Sequence, residues 1–131
     1  MQTRTASLNG VPAIWWGAPS RRGFLYVHGQ GGSKAEAASF AAAAEASGWQ
    51  TVSIDLPGHG ERTSEAEDLV PWRVVPELRG ILAELRDRWD QTALFGSSLG
   101  AWFGLLAYPN APLAGALLLS PVVDMEALIR K

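Results

Sequence analysis

Ser98 stands at the centre of Gly96-Ser97-Ser98-Leu99-Gly100, within the stretch FGSSLGAW at residues 95–102. A serine hydroxyl presented on a sharp turn between a strand and a helix can attack a carbonyl carbon, and Gly-x-Ser-x-Gly is the spacing that leaves room for such a turn. The glycines select Ser98 over Ser97, which occupies the variable position. A shuffled chain of this composition would carry the pentapeptide about once in ten, so the flanks decide its meaning. TALF before it reads as a buried strand and AWFGLLAY after it as a helix. Gly104, one helical turn beyond Gly100, extends the same close-packing face.

An attacking hydroxyl needs a base, and the base needs an orienting carboxylate. Both histidines, His28 in HGQGG and His59 in PGHGER, precede Ser98. Neither reads as a strong candidate for that base. Asp55 ends a predicted strand, where a structural hydrogen bond within the following turn is the expectation. Asp124 and Glu126 follow Ser98, but no histidine accompanies them. With no cysteine, two histidines and neither CxxC nor HExxH, the chain offers no thiolate nucleophile, no disulfide and no expected metal site. Trp72 and Trp102 fall near predicted strand ends and could line an acyl pocket; with six tryptophans in the chain, packing in core or loops is expected for both.

The elements that would position these residues alternate in type. Residues 3–16 read as an antiparallel pair around Asn9-Gly10, a dipeptide suited to a two-residue hairpin turn. FLYV after Gly23 is a buried strand leading into HGQGG. Ser33 with Glu36 three residues later then reads as a capping box for an Ala-rich helix that Gly48 stops. QTVSID is the next strand, PGHGER its loop, and Leu78, Ile81, Leu82, Leu85 and Trp89 mark a helix with Pro76 in its first turn. TALF, GSSLG and AWFGLLAY form a third unit, ended by Pro109, and AGALLLS opens a fourth. Buried strands alternating with helices predict a parallel sheet covered on both faces, with ligands at the carboxyl ends of the strands. All three loops fall at those ends.

The 131 residues suit a single domain, residues 1–131. A net charge of −2 gives no electrostatic footprint for nucleic acid or an anionic membrane, which leaves a small molecule as the expected partner. The start MQTRTASLNG lacks an apolar signal-type core, and no run reaches the ~18 apolar residues of a membrane span, so a cytoplasmic location is expected.

HGQGG, DLPGHGER and GSSLGAW, in that order and each after a predicted strand, resemble the α/β-hydrolase family of serine hydrolases. The resemblance runs from the N-terminal hairpin to the strand ending at Ser120. It implies a three-layer α/β/α sandwich whose mostly parallel sheet starts with an antiparallel hairpin and breaks off after about the sixth strand. It also implies Ser98 as nucleophile, and an oxyanion hole from the backbone N–H groups of Gln30 and Leu99. The expected reaction is hydrolysis of a carboxylic ester, or of a thioester or amide, without a cofactor. The family's acid and histidine follow later strands, so these residues read as the first half of a domain, inactive alone. Residues 114–120 would then form an exposed edge through which the chain self-associates.

Two other readings stand beside this one. The first is a non-catalytic module of the same fold, serving as a binding partner or half-domain. The second is a nucleotide-binding domain, since FLYVHGQGGSKAE is also strand, Gly-rich loop and helix. However, Lys34 stands where the dinucleotide fingerprint wants a small residue, Ser33 separates the Gly-Lys pair that a P-loop needs, and neither scheme accounts for GSSLG.

Overall fold

The computed structural model describes residues 1–107, 113 and 115–119. The N-terminal hairpin forms as its turn chemistry predicts. Strands β1 (Thr3–Leu8) and β2 (Val11–Trp16) pair antiparallel, and Asn9 and Gly10 take φ of 49° and 78°. Positive φ at both turn positions matches the right-handed twist of the flanking strands. The hairpin turn is fastened from outside, because the Asn9 N–H donates to Glu84 Oε1 at 2.6 Å.

Strand β3 (Arg22–Val27) is followed by a 3-10 turn at Lys34–Ala37, helix α1 (Ala38–Ala46) and strand β4 (Gln50–Ile54). A second 3-10 segment (Gly60–Asp68) leads to α2 (Pro71–Arg88), strand β5 (Gln91–Ser97), α3 (Leu99–Ala107) and strand β6 (Gly115–Leu119). The strand order is β1-β2-β4-β3-β5-β6, with β2 antiparallel to β4 and parallel pairing from β4 through β6. The predicted mostly parallel sheet with an antiparallel hairpin is therefore present.

Side chains alternate across the strands into two cores. Leu25 and Val27 of β3, Val52 and Ile54 of β4 and Leu94 of β5 join Leu78, Ile81 and Leu85 of α2 and Phe103 of α3 in the larger one. Tyr26 and Phe95 point the other way and pack with Trp16, Ala37 and Ala41. Helices thus cover both faces, which makes three layers. No helix among the described residues is long and apolar enough to cross a membrane.

Three local readings are corrected. Ser33 does cap its helix start, accepting from the Ala35 N–H at 3.2 Å, but Glu36 does not complete a capping box. Its carboxylate instead accepts from the Tyr26 hydroxyl at 2.9 Å, and the turn that follows is 3-10 before it becomes α. Helix α2 starts five residues earlier than expected: Pro71 takes the first position and Pro76 lies inside the helix. Pro76 costs one backbone hydrogen bond, whose acceptor would be the carbonyl of Trp72, a residue exposed to solvent where water can serve it. Trp72 itself is 74% exposed and packs in neither core nor loop. Trp102 is half-buried against the larger core. Ala114, Ser120, Asp124, Glu126 and the predicted helix stop at Pro109 lie outside the described residues.

Candidate active site

The path of the chain opens a crevice at one place. After β3 the chain moves through α1 to β4 on one side; after β5 it moves through α3 to β6 on the other. The loops leaving β3 and β5 therefore diverge to opposite faces of the sheet, and a gap forms between the carboxyl ends of these two neighbours. HGQGG and GSSLG border it.

Ser98 has a φ of 53°, one of two non-glycine residues with positive φ among the described residues, and it links β5 directly to α3. An L-residue in this region is held at a cost of about 1–2 kcal/mol. The flanking glycines show what holds it there. A Cβ on Gly96 would approach Ala101 Cα to 2.7 Å, and a Cβ on Gly100 would collide with the carbonyl oxygens of Val27 and His28. Strand β5, helix α3 and the end of β3 meet too closely for any side chain at either position. The Ser98 carbonyl accepts from the Ala101 N–H at 3.0 Å, which starts the helix, while the Leu99 N–H sits at its first position, where no carbonyl within the helix can reach it.

The loop after β3 lies against this turn. A Cβ on Gly29 would stand 3.1 Å from Ser98 Cβ. Gly32 N–H donates to the Gly29 carbonyl at 3.0 Å, closing a turn with Gln30 and Gly31 at its corners and Gly31 at φ 80°. His28 fixes the turn from within: its Nδ1–H donates to the Gly29 carbonyl at 2.7 Å, and its Nε2 accepts from the Leu56 N–H at 3.0 Å. These partners define a neutral ring, and full burial lowers the pKa, overriding the opposing hydrogen bond to Gly29. His59 fixes the turn from outside, its Nε2 accepting from the Gly31 N–H at 3.0 Å. With the N–H of Gly31 taken by His59, Gln30 N–H is the donor left at the corner of the turn.

Beneath both loops lies a buried charged cluster around Asp55; its hydrogen bond to the following turn, at the Glu61 N–H, is the one expected, whereas Lys34, Arg62 and Glu77 as its members were not. Asp55, fully buried at the end of β4, accepts from the Lys34 N–H at 2.9 Å, the Glu61 N–H at 3.0 Å and the Lys34 ammonium at 2.6 Å. Burial alone would raise the Asp55 pKa, but the Lys34 ammonium and the two backbone donors outweigh it and hold the carboxyl below its ordinary range. Lys34 also pairs with Glu61 at 2.7 Å. Its ammonium is thereby committed, which removes the cation a phosphate-binding loop would need. Arg62, 5% exposed, donates to both carboxylate oxygens of Glu77, to both of Glu65 and to the Asp55 carbonyl. The one sequence signal for this cluster was acidic and basic residues crowded around two Gly-rich loops.

Ser98 makes no hydrogen bond to either histidine, and no group of metal ligands occurs among the described residues. The arrangement presents a hydroxyl on a strained turn, a helix-start N–H beside it and a pinned loop facing it. Among the described residues no imidazole or carboxylate is hydrogen-bonded to Ser98.

Residues 24–130 match the family model described as "Alpha/beta hydrolase family", and the chain belongs to that family. Solved structures agree on the fold. A cold-adapted esterase from an Arctic intertidal metagenomic library is 25% identical with a TM-score of 0.74, over 98% of this chain and 64% of the other. An epoxide hydrolase from Vigna radiata is 21% identical with a TM-score of 0.73, over 98% and 44%. A highly thermostable carboxyl esterase from Bacillus coagulans, in complex with glycerol, is 20% identical with a TM-score of 0.69, over 90% and 44%. The chain thus spans about half the length of the structures it resembles. No curated protein matches it.

Proposed function

We propose that Ser98 is the nucleophile of a serine hydrolase acting on a carboxylic ester, or a thioester or amide, through an acyl-enzyme. The observation that carries this is the strained Ser98 turn, pinned between Gly96 and Gly100 opposite the loop that His28 and His59 secure. Ser98 Oγ attacks the carbonyl carbon and gives up its proton to a base; the oxyanion that forms is met by the N–H groups of Leu99 and Gln30. The carbonyl then re-forms, the alcohol leaves with that proton, and water releases the acid by the reverse sequence. One such backbone donor is worth about 3 kcal/mol of barrier.

Chemistry favours an ester over an epoxide as the substrate. An alcohol attacking an epoxide leaves an ether that water does not readily cleave, whereas attack on an acyl carbon leaves an ester that it does. Neither histidine is placed to take the Ser98 proton, because both spend their ring nitrogens on loop hydrogen bonds.

That missing base also supports a second reading, in which these residues act as a non-catalytic half-domain. A fluorophosphonate probe on the full-length protein separates the two. Labelling that Ser98→Ala abolishes is the expected result; an unlabelled, folded full-length protein sinks the enzyme reading.

A further inference from the structure

At the opposite end of the sheet from Ser98, where the parallel strands begin, lies a cleft of about 340 Å³ lined by Arg4, Trp15, Pro19, Gln50, Arg88 and Trp89. It continues past Arg4 and Gln50 toward Gln2 and Gly17. The lining contains no carboxylate. The guanidinium carbons of Arg4 and Arg88 stand 5.9 and 4.9 Å from the Trp15 ring centroid, brought there from β1 and the end of α2. Neither arginine has a carboxylate partner among the described residues.

Gln50 is 9% exposed, and its Oε1 accepts from Trp89 Nε1 at 3.1 Å. That bond fixes the amide orientation and leaves Nε2, a donor, without an acceptor among the described residues. The amide is not sealed from solvent, since Thr51 Oγ1 is the only sealed side-chain polar atom without a partner among the described residues; the solvent it reaches is the cleft. A cation at the last position of α2 is explained by the helix dipole. Two guanidiniums over one indole beside a nearly buried, unfilled amide are not.

We propose that this cleft binds a small organic anion, its carboxylate or phosphate group held by Arg4 and Arg88 and by the Gln50 amide. Its size is that of a small-molecule site, and its polar groups are donors matched to an oxyanion. This does not depend on the role of Ser98.

Calorimetric titration of the full-length protein at low ionic strength with inorganic phosphate, and separately with succinate, tests it. Saturable binding of at least one is expected, weakened about tenfold or more by Arg4→Gln with Arg88→Gln and unchanged by Arg86→Gln, an exposed arginine on the same helix. Phosphate alone binding assigns a phosphate ester; succinate binding assigns a carboxylate. Gln50→Glu, which can still accept from Trp89 while adding a negative charge, is expected to abolish binding, and it keeps the test valid if the double variant fails to fold. Saturation by neither anion up to about 20 mM, or undiminished binding by folded variants, overturns the proposal.

Discussion

His28 ties its own loop to the end of β4 in the neutral form alone, because its Nε2 must accept from Leu56. A buried ring whose pKa lies below the ordinary 6.5 binds fewer protons folded than unfolded in that range. Its contribution is therefore fully present above pH 6.5 and is lost as pH falls from there toward the folded pKa. Urea denaturation at pH 7.5 and pH 5.5 should show a loss of stability for wild type that is smaller in His28→Asn; equal losses would remove His28 as the cause. Asp55 acts in a lower window, since a depressed carboxyl loses its stabilisation only as pH falls below its ordinary 3.8. Removing it by Asp55→Ala leaves Lys34 with Glu61 alone as a charged partner and two N–H groups unmet. About 3–5 kcal/mol of destabilisation is expected in chemical denaturation at neutral pH.

At Gly100 helix α3 meets the end of β3 backbone to backbone, with no room for a side chain. Gly100→Ala would drive a methyl into the backbone of β3 at Val27 and His28, where no flexible side chain can yield. A loss of about 2–4 kcal/mol in denaturation midpoints is expected, with slower labelling of Ser98 as the turn shifts. A variant as stable as wild type would mean that α3 can move away from the strand. FLYV was legible as a strand because it reads as a continuous apolar run, and TVSI and TALF because they are short, strand-favouring and bounded by turn residues. Turns defined by backbone needs, such as Asn9-Gly10 and the Ser98 turn, were legible for the same local reason. The start of α2 was not, since Pro71 and Pro76 both suit a first helical turn and the sequence pattern does not choose between them. Glu36 likewise had a local partner available and took a distant one, Tyr26.

The two proposed sites lie at opposite ends of one sheet. One end carries the crevice between β3 and β5, and the other the arginine-lined cleft; the latter was invisible in sequence because Arg4, Trp15 and Arg88 converge only through the pairing of β1 with β2 and the docking of α2. Among the described residues β6 pairs on one side only. We propose that a chain of these 131 residues associates through that edge, as unpaired strand backbone seeks a partner. Sedimentation should show concentration-dependent assembly, and a monodisperse monomer would rule it out.

The positive φ of Ser98 sets backbone stability against the side chain at one residue. Glycine is the residue this turn prefers, so Ser98→Gly should raise the thermal midpoint by the equivalent of about 1 kcal/mol while removing the hydroxyl. The proposed nucleophile is thus held at a backbone cost that a glycine would not bear.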